Sequence, residues 1–367
     1  MTSTSDVGLP AVMRSAIYRA PGDVGVEERP VPVPGPGQVL VEVAYCGVCG
    51  SDLHIMIEGW GKPGTVGGHE YSGTVAALGA DVTQWAPGDR VVCGPSPRCG
   101  ECRRCREGKP SQCERRSAPV DGDTGGAFAR YVLADARSLL RLPEEMSVRV
   151  AALAEPLAVA LHGITRSQIG PGDTAMVFGA GPIGALTIAA LVAKGIAPVI
   201  VIEPGERRRR LAEDLGATEV LRPEELEVFP PWHPDRQSSR AVDVVFECSG
   251  KKAAMEAGFN QLRRGGHLVL VGAGMEAPAF DPNRLILNEL HVCGSFVYDA
   301  DGFERALELL GSGRLPVEVL IDPEDVTLDG LGEALVGLAE GRIAGKVMVV
   351  PGGSGAGPAA ASGEEAG

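Results

Sequence analysis

A glycine-rich turn between an apolar strand and an apolar helix is the feature that most constrains how this chain can fold. Residues 174–178 (TAMVF) predict a buried strand, and the Ala/Leu-rich run that begins near residue 185 predicts a helix. In a G-x-G-x-x-G turn, the first glycine permits the tight turn, the second lets a pyrophosphate approach the backbone, and the third allows close helix–strand packing. The candidate cofactor contacts here are Gly179, Gly181, Pro182, Ile183 and Gly184. The segment therefore predicts a dinucleotide-binding site.

The regions on either side of this turn differ in the secondary structure that their sequence patterns predict. Residues 12–95 are short Val-rich stretches separated by turns, which is an all-β pattern. From about residue 150, helical runs alternate with apolar strands, which predicts a doubly wound parallel sheet. Residues 281–350 mix helix and strand again, and we expect them to return to the first region. Since 367 residues exceed the roughly 250–300 at which one core stops growing, two domains are expected.

The choice of dinucleotide depends on the end of the next predicted strand. Glu203 lies there, about twenty residues past the turn, where an acid can accept hydrogen bonds from the ribose hydroxyls and repel a 2′-phosphate. NAD is therefore favoured over NADP. The arginine run that follows keeps NADP open, because Arg208 either belongs to a solvated helix face or contacts the adenosine. The remaining candidate cofactor contacts are Val271, Gly272, Ser295 and Phe296.

Four cysteines lie close together in a loop rich in Gly, Pro and basic residues: Cys99, Cys102, Cys105 and Cys113. Four thiolates at this spacing can surround one Zn²⁺ tetrahedrally. An iron–sulfur cluster is the rival, but the fourth cysteine comes seven residues after the third and Glu114 follows it, not proline. We therefore predict a closed structural zinc site that staples the loop.

A second set of metal-ligating residue types is dispersed along the chain. Cys46 and Cys49 form C-x-x-C, which also suits a redox pair or core packing, and His69-Glu70 alone also suits a surface pair. Glu155 is more informative because it lies in the apolar run of residues 150–161. An ionised carboxylate there is costly unless a cation or hydrogen bonds meet it, and a zinc ion is one such cation.

Charge and composition exclude several classes of partner. A net charge of −14 and a pI near 5.0 make nucleic acid and anionic membrane surfaces unfavourable partners. The most apolar stretch, residues 185–202, contains Lys194 and Pro198 and predicts a helix followed by a strand, so no membrane span is expected. Residues 1–10 lack the pattern of a signal peptide, and a cytoplasmic setting follows. Residues 351–367 contain almost nothing to bury and predict a disordered tail.

Taken together, these motifs resemble the zinc-dependent medium-chain alcohol dehydrogenases, most closely the branch of sorbitol, butanediol and threonine dehydrogenases. The resemblance covers about residues 14–350 and rests on Cys49-Gly-Ser51-Asp52, Gly68-His69-Glu70, the four-cysteine loop, Glu155-Pro-Leu157, the glycine-rich turn, Phe246-Glu-Cys-Ser-Gly250 and Gly345-Lys-Val347. It implies an α/β fold with a GroES-like β-barrel catalytic domain (1–157 and 297–350) and a doubly wound, parallel-sheet Rossmann domain (158–296). Homodimers or homotetramers are also implied.

The resemblance also assigns roles within the dispersed set. It makes Cys49 and His69 ligands of a catalytic zinc, with Glu70 and Glu155 as alternative carboxylate ligands, directly or through water. Asp52 is expected to orient His69. Ser51 would pass the substrate's hydroxyl proton toward the cofactor ribose, and His54 either relays it to solvent or is a surface histidine. Two zinc ions per chain and NAD are thus the expected cofactors.

The implied reaction is zinc-dependent hydride transfer between a small secondary alcohol, diol or polyol and NAD, with zinc acting as a Lewis acid on the alcohol oxygen. Alternatives are an NADP-linked aldehyde or ketone reductase, and a non-catalytic protein that kept both binding sites. Candidate pocket residues are Trp60, Phe128 and Phe296, each of which is equally compatible with ordinary packing.

Overall fold

The computed structural model describes residues 8–93, 99–115, 125–227, 229 and 237–353. Its strands are β1 (Val12–Ala20), β2 (Asp23–Pro30), β3 (Gln38–Gly47), β4 (Glu70–Leu78), β5 (Arg90–Cys93), β6 (Tyr131–Asp135), β7 (Leu139–Arg141), β8 (Ala175–Phe178), β9 (Val199–Ile202), β10 (Glu219–Leu221), β11 (Val242–Glu247), β12 (Leu262–Leu270), β13 (His291–Gly294), β14 (Val326–Thr327) and β15 (Met348–Val350). The predicted tail lies outside the described residues from residue 354 onward, as do residues 1–7 of the N-terminal segment.

The α-helices lie between these strands and differ in length. They are α1 (Gly50–Met56), α2 (Arg103–Arg106), α3 (Val148–Ala151), α4 (Ala154–Ser167), α5 (Pro182–Ala193), α6 (Glu206–Asp214), α7 (Lys252–Asn260), α8 (Pro282–Leu287), α9 (Gly302–Gly311), α10 (Val317–Leu320) and α11 (Leu331–Ala339). None of the helices in the described part of the chain has the length and apolarity that a membrane crossing needs.

Six strands form one parallel sheet in the order β10-β9-β8-β11-β12-β13. In this order the chain direction across the sheet reverses between β8 and β11, which makes the carboxyl ends of those strands the expected ligand crevice. All four residues of β8 and of β9 are buried, since both faces of the sheet are covered. Alternate residues face different cores: Val177 packs in one, Met176 and Phe178 in the other. The predicted doubly wound sheet is present.

The second large sheet combines strands from distant parts of the chain. Its order is β14-β15-β3-β4-β5-β7, with β6 also paired to β3. The C-terminal strand β15 runs antiparallel to β3, so that Met348 lies opposite Gly47. Strands of residues 326–350 thus join the sheet that residues 38–141 begin. The C-terminal part of the chain therefore returns to the first region, as the sequence predicts. Residues 12–30 form a separate hairpin of β1 and β2.

Candidate active site

The site begins at the start of helix α1, where one buried carboxylate joins two segments. Asp52 accepts a hydrogen bond from the backbone N–H of Cys49 at 2.9 Å, as an N-terminal cap of α1. Its other oxygen accepts from the Gly68 N–H at 3.3 Å and lies 3.9 Å from Nδ1 of His69. Gly68 has φ +89°, a conformation suited to glycine. Asp52 therefore ties the start of α1 to the segment that carries His69.

Three of the predicted metal ligands come together. One ligand atom each of Cys49, His69 and Glu70 lies within 4.8 Å of the others. A thiolate, an imidazole and a carboxylate form a donor set that zinc accepts, with one position left for water or substrate, so the residues fit the ion. Burial lowers the pKa of His69, but the nearby Cys49 sulfur and Asp52 carboxylate raise it by more than burial lowers it. The net pKa of His69 therefore lies well above its usual range. The acidic side chains around His69 therefore favour a positive charge at this position.

Glu155 lies beside this group without joining it. Its carboxylate is buried at the first turn of α4, and no described residue hydrogen-bonds to it. Burial raises its pKa to about 7; His69 and Lys346 oppose this rise, and Glu70 adds to it. The group of three contains Glu70 and not Glu155. Glu155 is therefore a buried carboxylate close to the ligand group but outside the set of three.

One residue that the sequence analysis named only within a motif, Lys346, lies inside the site. Its ammonium group donates to both carboxylate oxygens of Glu70, at 2.8 and 2.7 Å, and to the Val48 carbonyl at 3.1 Å. A lysine within the apolar run that leads into β15 is a signal that could have identified it, because a buried ammonium needs an anionic partner.

The two candidate proton-transfer residues have different surroundings. Ser51 Oγ lies 3.4 Å from Nε2 of His69, beside the ligand group. His54 Nδ1 lies 2.8 Å from a carboxylate oxygen of exposed Glu58, and its ring stacks on Trp60 with centroids 4.4 Å apart. Phe128 is fully buried in the core, which supports its interpretation as packing.

The four cysteines of the loop also come together, with Cys99, Cys102, Cys105 and Cys113 sulfurs within 4.8 Å of one another. The Cys99 sulfur lies 3.8 Å from that of Cys105 and 3.5 Å from that of Cys113. Zn–S bonds of about 2.3 Å imply tetrahedral S···S edges of about 3.8 Å, so the spacing fits the ion. Backbone N–H groups of Glu114 and Cys105 lower the pKa of Cys102 to about 6, which favours the thiolate that zinc needs.

The glycine-rich turn has the geometry that its motif predicts. Gly179 has φ +87°, and a Cβ on Gly184 would lie 1.9 Å from the Gly179 carbonyl oxygen, so this helix–strand contact requires glycine. At Gly181, by contrast, the atom nearest to an added methyl group would be Cζ of Arg208, 4.0 Å away. Gly181 caps α5, and Pro182 and Ile183 form its first turn. The open backbone face at this N-terminus suits a phosphate group.

Glu203 and Arg208 lie next to this turn. Glu203 is buried and accepts hydrogen bonds from the backbone N–H groups of Ala180 and Gly205, both at 2.8 Å. Each oxygen of the Glu203 carboxylate therefore has a second lone pair that can accept another hydrogen bond. Arg208 donates to the Leu338 carbonyl at 2.7 Å, while its Nε is buried without a partner in the described part of the chain. Both residues lie where contacts to an adenosine moiety are expected.

The remaining candidate cofactor residues line the ends of β12 and β13. Backbone N–H groups of Val271 and Gly272 both donate to the Glu247 carbonyl at 2.9 Å, and a Cβ on Gly272 would lie 2.3 Å from the Gly250 nitrogen. Ser295 is buried, and Phe296 is 48% exposed. All four follow carboxyl ends of parallel strands, where a crevice forms.

Comparison with known proteins identifies the family. Residues 35–144 match the alcohol dehydrogenase GroES-like domain, and residues 182–312 match the zinc-binding dehydrogenase domain. The sorbitol dehydrogenase of Bacillus subtilis strain 168 is 32% identical over 354 residues, which cover 94% of this chain and 98% of the relative. The chain belongs to the zinc-dependent medium-chain alcohol dehydrogenase family. The predicted family and the α/β fold class with GroES-like and Rossmann parts are confirmed.

Solved structures of medium-chain dehydrogenases agree with this assignment. The 2R,3R-butanediol dehydrogenase of Bacillus subtilis is 31% identical with a TM-score of 0.81, covering 92% of this chain and 99% of the other. The acetophenone reductase of Geotrichum candidum, solved with NAD, is 26% identical with a TM-score of 0.82, covering 94% and 98%. This medium-chain dehydrogenase is therefore a zinc-dependent oxidoreductase that acts on small alcohols or carbonyls with a nicotinamide dinucleotide.

Proposed function

We propose that this enzyme oxidises a small secondary alcohol, vicinal diol or polyol to the corresponding ketone with NAD, and catalyses the reverse reduction. The observation that carries the proposal is the meeting of Cys49, His69 and Glu70 within 4.8 Å. The names of the relatives, sorbitol dehydrogenase and 2R,3R-butanediol dehydrogenase, support diols and polyols as the substrate class.

Each residue of the site has a proposed role. Cys49 and His69 would hold a catalytic zinc together with Glu70, and Glu155 would supply a carboxylate close by. When bound, the zinc supplies Lewis acidity toward the substrate hydroxyl, and the nicotinamide supplies a hydride acceptor. Ser51 Oγ would take the hydroxyl proton, a role supported by its 3.4 Å distance from the His69 imidazole. His54, held by Glu58, would pass that proton to solvent.

NAD is the proposed coenzyme because Glu203 presents a buried carboxylate next to the glycine-rich turn. An anion at that position opposes a 2′-phosphate. We expect Glu203→Ala to change the ratio of kcat/KM for NAD to that for NADP by about tenfold or more in favour of NADP, the effect of one lost charge contact of about 1.4 kcal/mol. Glu206→Ala, which removes an exposed acid paired with Arg210, is the matched control. An unaltered ratio in Glu203→Ala would remove Glu203 from coenzyme selection.

An NADP-linked reductase is the second candidate, and the arginine run of residues 207–210 supports it, because a guanidinium group near the adenosine can pair with a 2′-phosphate. Steady-state comparison of both coenzymes in both directions separates the candidates. A higher kcat/KM with NADP, lost in Arg208→Gln, would establish this second function.

The test of the main proposal is a coenzyme-reduction screen across secondary alcohols, diols, polyols and L-threonine, with zinc counted per chain. Activity should disappear on chelation and return with Zn²⁺. Cys49→Ser should lose one zinc and all activity, and the control Cys46→Ser, which alters the neighbouring buried thiol, should keep both zinc ions. Turnover that survives Cys49→Ser would refute the proposal.

Three further features of the protein belong to the same proposal. We propose two zinc ions per chain, one in the four-cysteine loop and one at Cys49. Domain boundaries at 1–157 with 297–350, and at 158–296, are supported by the two large sheets. We also propose a cytoplasmic location and, from the family resemblance, a homodimer or homotetramer; size-exclusion chromatography with light scattering tests the assembly.

A further inference from the structure

Lys346 is the one described ammonium group that lies against the proposed metal ligands. It is 2% exposed, and its partner Glu70 is fully buried. Three acceptors surround Nζ: the two oxygens of Glu70 and the carbonyl of Val48, the residue before Cys49. An ammonium group has three donors, so its hydrogen-bonding capacity is used entirely within this site.

The strand register builds this contact. Gly47 on β3 lies opposite Glu70 on β4 and opposite Met348 on β15. A Cβ on Gly47 would lie 2.3 Å from Oε2 of Glu70 and 3.3 Å from Cδ of Lys346, so the absence of a side chain makes room for the pair. The backbone of Lys346 is itself held, because its N–H donates to Leu320 and its carbonyl accepts from Asp322. The contact between Glu70 and Lys346 is thus fixed by the pairing of β3 with β4 and β15 and by the backbone hydrogen bonds of Lys346.

The charge balance of the site gives the contact a consequence for metal binding. Four acidic groups surround His69: Cys49, Asp52, Glu70 and Glu155. The Lys346 ammonium interacts with three of them, Cys49, Glu70 and Glu155. A carboxylate whose two oxygens are both hydrogen-bonded to an ammonium group has less negative charge to share with a divalent cation. Glu70 therefore faces two competing cations, the fixed lysine and any metal ion held by Cys49 and His69.

We propose that Lys346 is a positioning residue that weakens Glu70 as a metal ligand, so that this carboxylate stays displaceable when substrate binds. This inference rests on the proposed function, because it requires a divalent ion at Cys49 and His69. Loss of the lysine charge leaves the buried carboxylate without its ammonium partner, which favours the metal as its counterion. Zinc should consequently bind more tightly, and Glu70 should hold it more firmly.

The test compares Lys346→Met with the unaltered protein by titrating a chelator against the zinc-loaded enzyme and counting zinc per chain. We expect the zinc that depends on Cys49 to bind about tenfold or more tightly in Lys346→Met, within the usual range for coupled sites. The visible absorption of the cobalt-substituted enzyme should shift, since Glu70 would bind the metal more strongly, and it should respond less to added substrate. Lys346→Arg, which keeps the charge, should restore both properties toward those of the unaltered protein.

A double-mutant cycle shows whether Glu70 carries the effect. In a Glu70→Gln background, Lys346→Met should leave zinc affinity unchanged. Lys194→Met is the matched control, because Lys194 donates to the Ile169 carbonyl in the other half of the chain. Equal or weaker zinc affinity in Lys346→Met overturns the proposal. So does a Lys346→Met protein that fails to fold even with excess Zn²⁺, because zinc would then not replace the lysine charge; Lys346→Gln, which keeps a hydrogen-bond donor, repeats this comparison.

Failure of this inference and failure of the proposed function give different results. If Cys49→Ser holds as many zinc ions as the unaltered protein, there is no metal at Cys49 and both fail. If Cys49→Ser loses one zinc while the Lys346 variants keep the original affinity, only the role of Lys346 is overturned.

Discussion

The hydroxyl oxygen of Ser51 lies 3.4 Å from Nε2 of His69, although the two residues are 18 positions apart in the chain. Helix α1 starts at Gly50, directly after Cys49, so Ser51 lies in its first turn and its side chain faces the proposed ligand group. A hydroxyl at this position lies beside the residues that would hold the metal, where it could accept the proton of a substrate hydroxyl. The first prediction follows from this contact.

Replacement of Ser51 by Ala should lower kcat by about 10²-fold, the usual scale for loss of a positioned proton-transfer group. KM for NAD and the zinc content should stay the same, because no predicted ligand is altered. Ser51→Thr keeps a hydroxyl and is the control, with a much smaller loss expected. Steady-state kinetics with saturating alcohol measure the effect. Equal turnover of Ser51→Ala and the unaltered enzyme would exclude Ser51 from proton transfer.

Two glycines of the same motif should respond differently to alanine. At Gly184 a Cβ would collide with the Gly179 carbonyl at 1.9 Å, so Gly184→Ala should destabilise the fold by about 1–3 kcal/mol, the range for overpacking. At Gly181 the space is open, and Gly181→Ala should keep its stability while KM for NAD rises, because the methyl group occupies the pyrophosphate's path. Thermal unfolding and NAD titration measure the two effects, and equal effects of both variants would contradict the assignment.

The four-cysteine loop should depend on its metal. Cys105→Ser is expected to lose one zinc per chain and to lower Tm by about 5 °C, since loss of a structural metal costs several kcal/mol and each kcal/mol shifts the Tm of a chain this long by ~1–2 °C. Cys293→Ser is the control, because that half-buried cysteine of β13 lies outside the cluster and should keep both zinc ions. Metal analysis and calorimetry test this. Retention of both zinc ions by Cys105→Ser would rule out the four-thiolate site.

Asp243 should make stability depend on pH. Burial raises its pKa, but hydrogen bonds from the Thr174 hydroxyl and N–H, together with Arg263, outweigh burial and bring the pKa below its usual 3.8. A carboxylate with a lowered folded pKa stabilises the protein above pH ~4, and this contribution disappears as the pH falls through the folded value.

Asp243→Asn should therefore destabilise the enzyme by about 1 kcal/mol at pH 7, with the difference from the unaltered protein shrinking toward pH 3. Asp214→Asn on the exposed end of α6 should show little difference at either pH. Denaturant unfolding at several pH values measures this. A difference that is constant with pH would show that the Asp243 charge is not what stabilises the link between β8 and β11.

The local motifs were predictable because each depends on residues close together in the chain. The spacing of the four cysteines was enough to predict that they come together. The succession of a strand, a glycine-rich turn and a helix was enough to predict Gly181 at the start of α5. The alternation of helices and apolar strands likewise predicted the parallel sheet. The surroundings of Glu203 were not predictable, because its hydrogen bond to the Ala180 N–H joins the ends of two neighbouring strands, β8 and β9.

The amino-acid sequence by itself determined the doubly wound sheet, the dinucleotide turn and the four-thiol loop, since short-range spacing specifies them, and its dispersed motifs carried the family resemblance that implied the rest of the fold. Only the tertiary structure decided that Glu70, rather than Glu155, joins Cys49 and His69, and that Lys346 neutralises it. Those contacts depend on the register of β15 against β3 and of β3 against β4. Pairings between strands that are far apart in the chain form only when the whole sheet assembles, and no local pattern encodes the distances they produce.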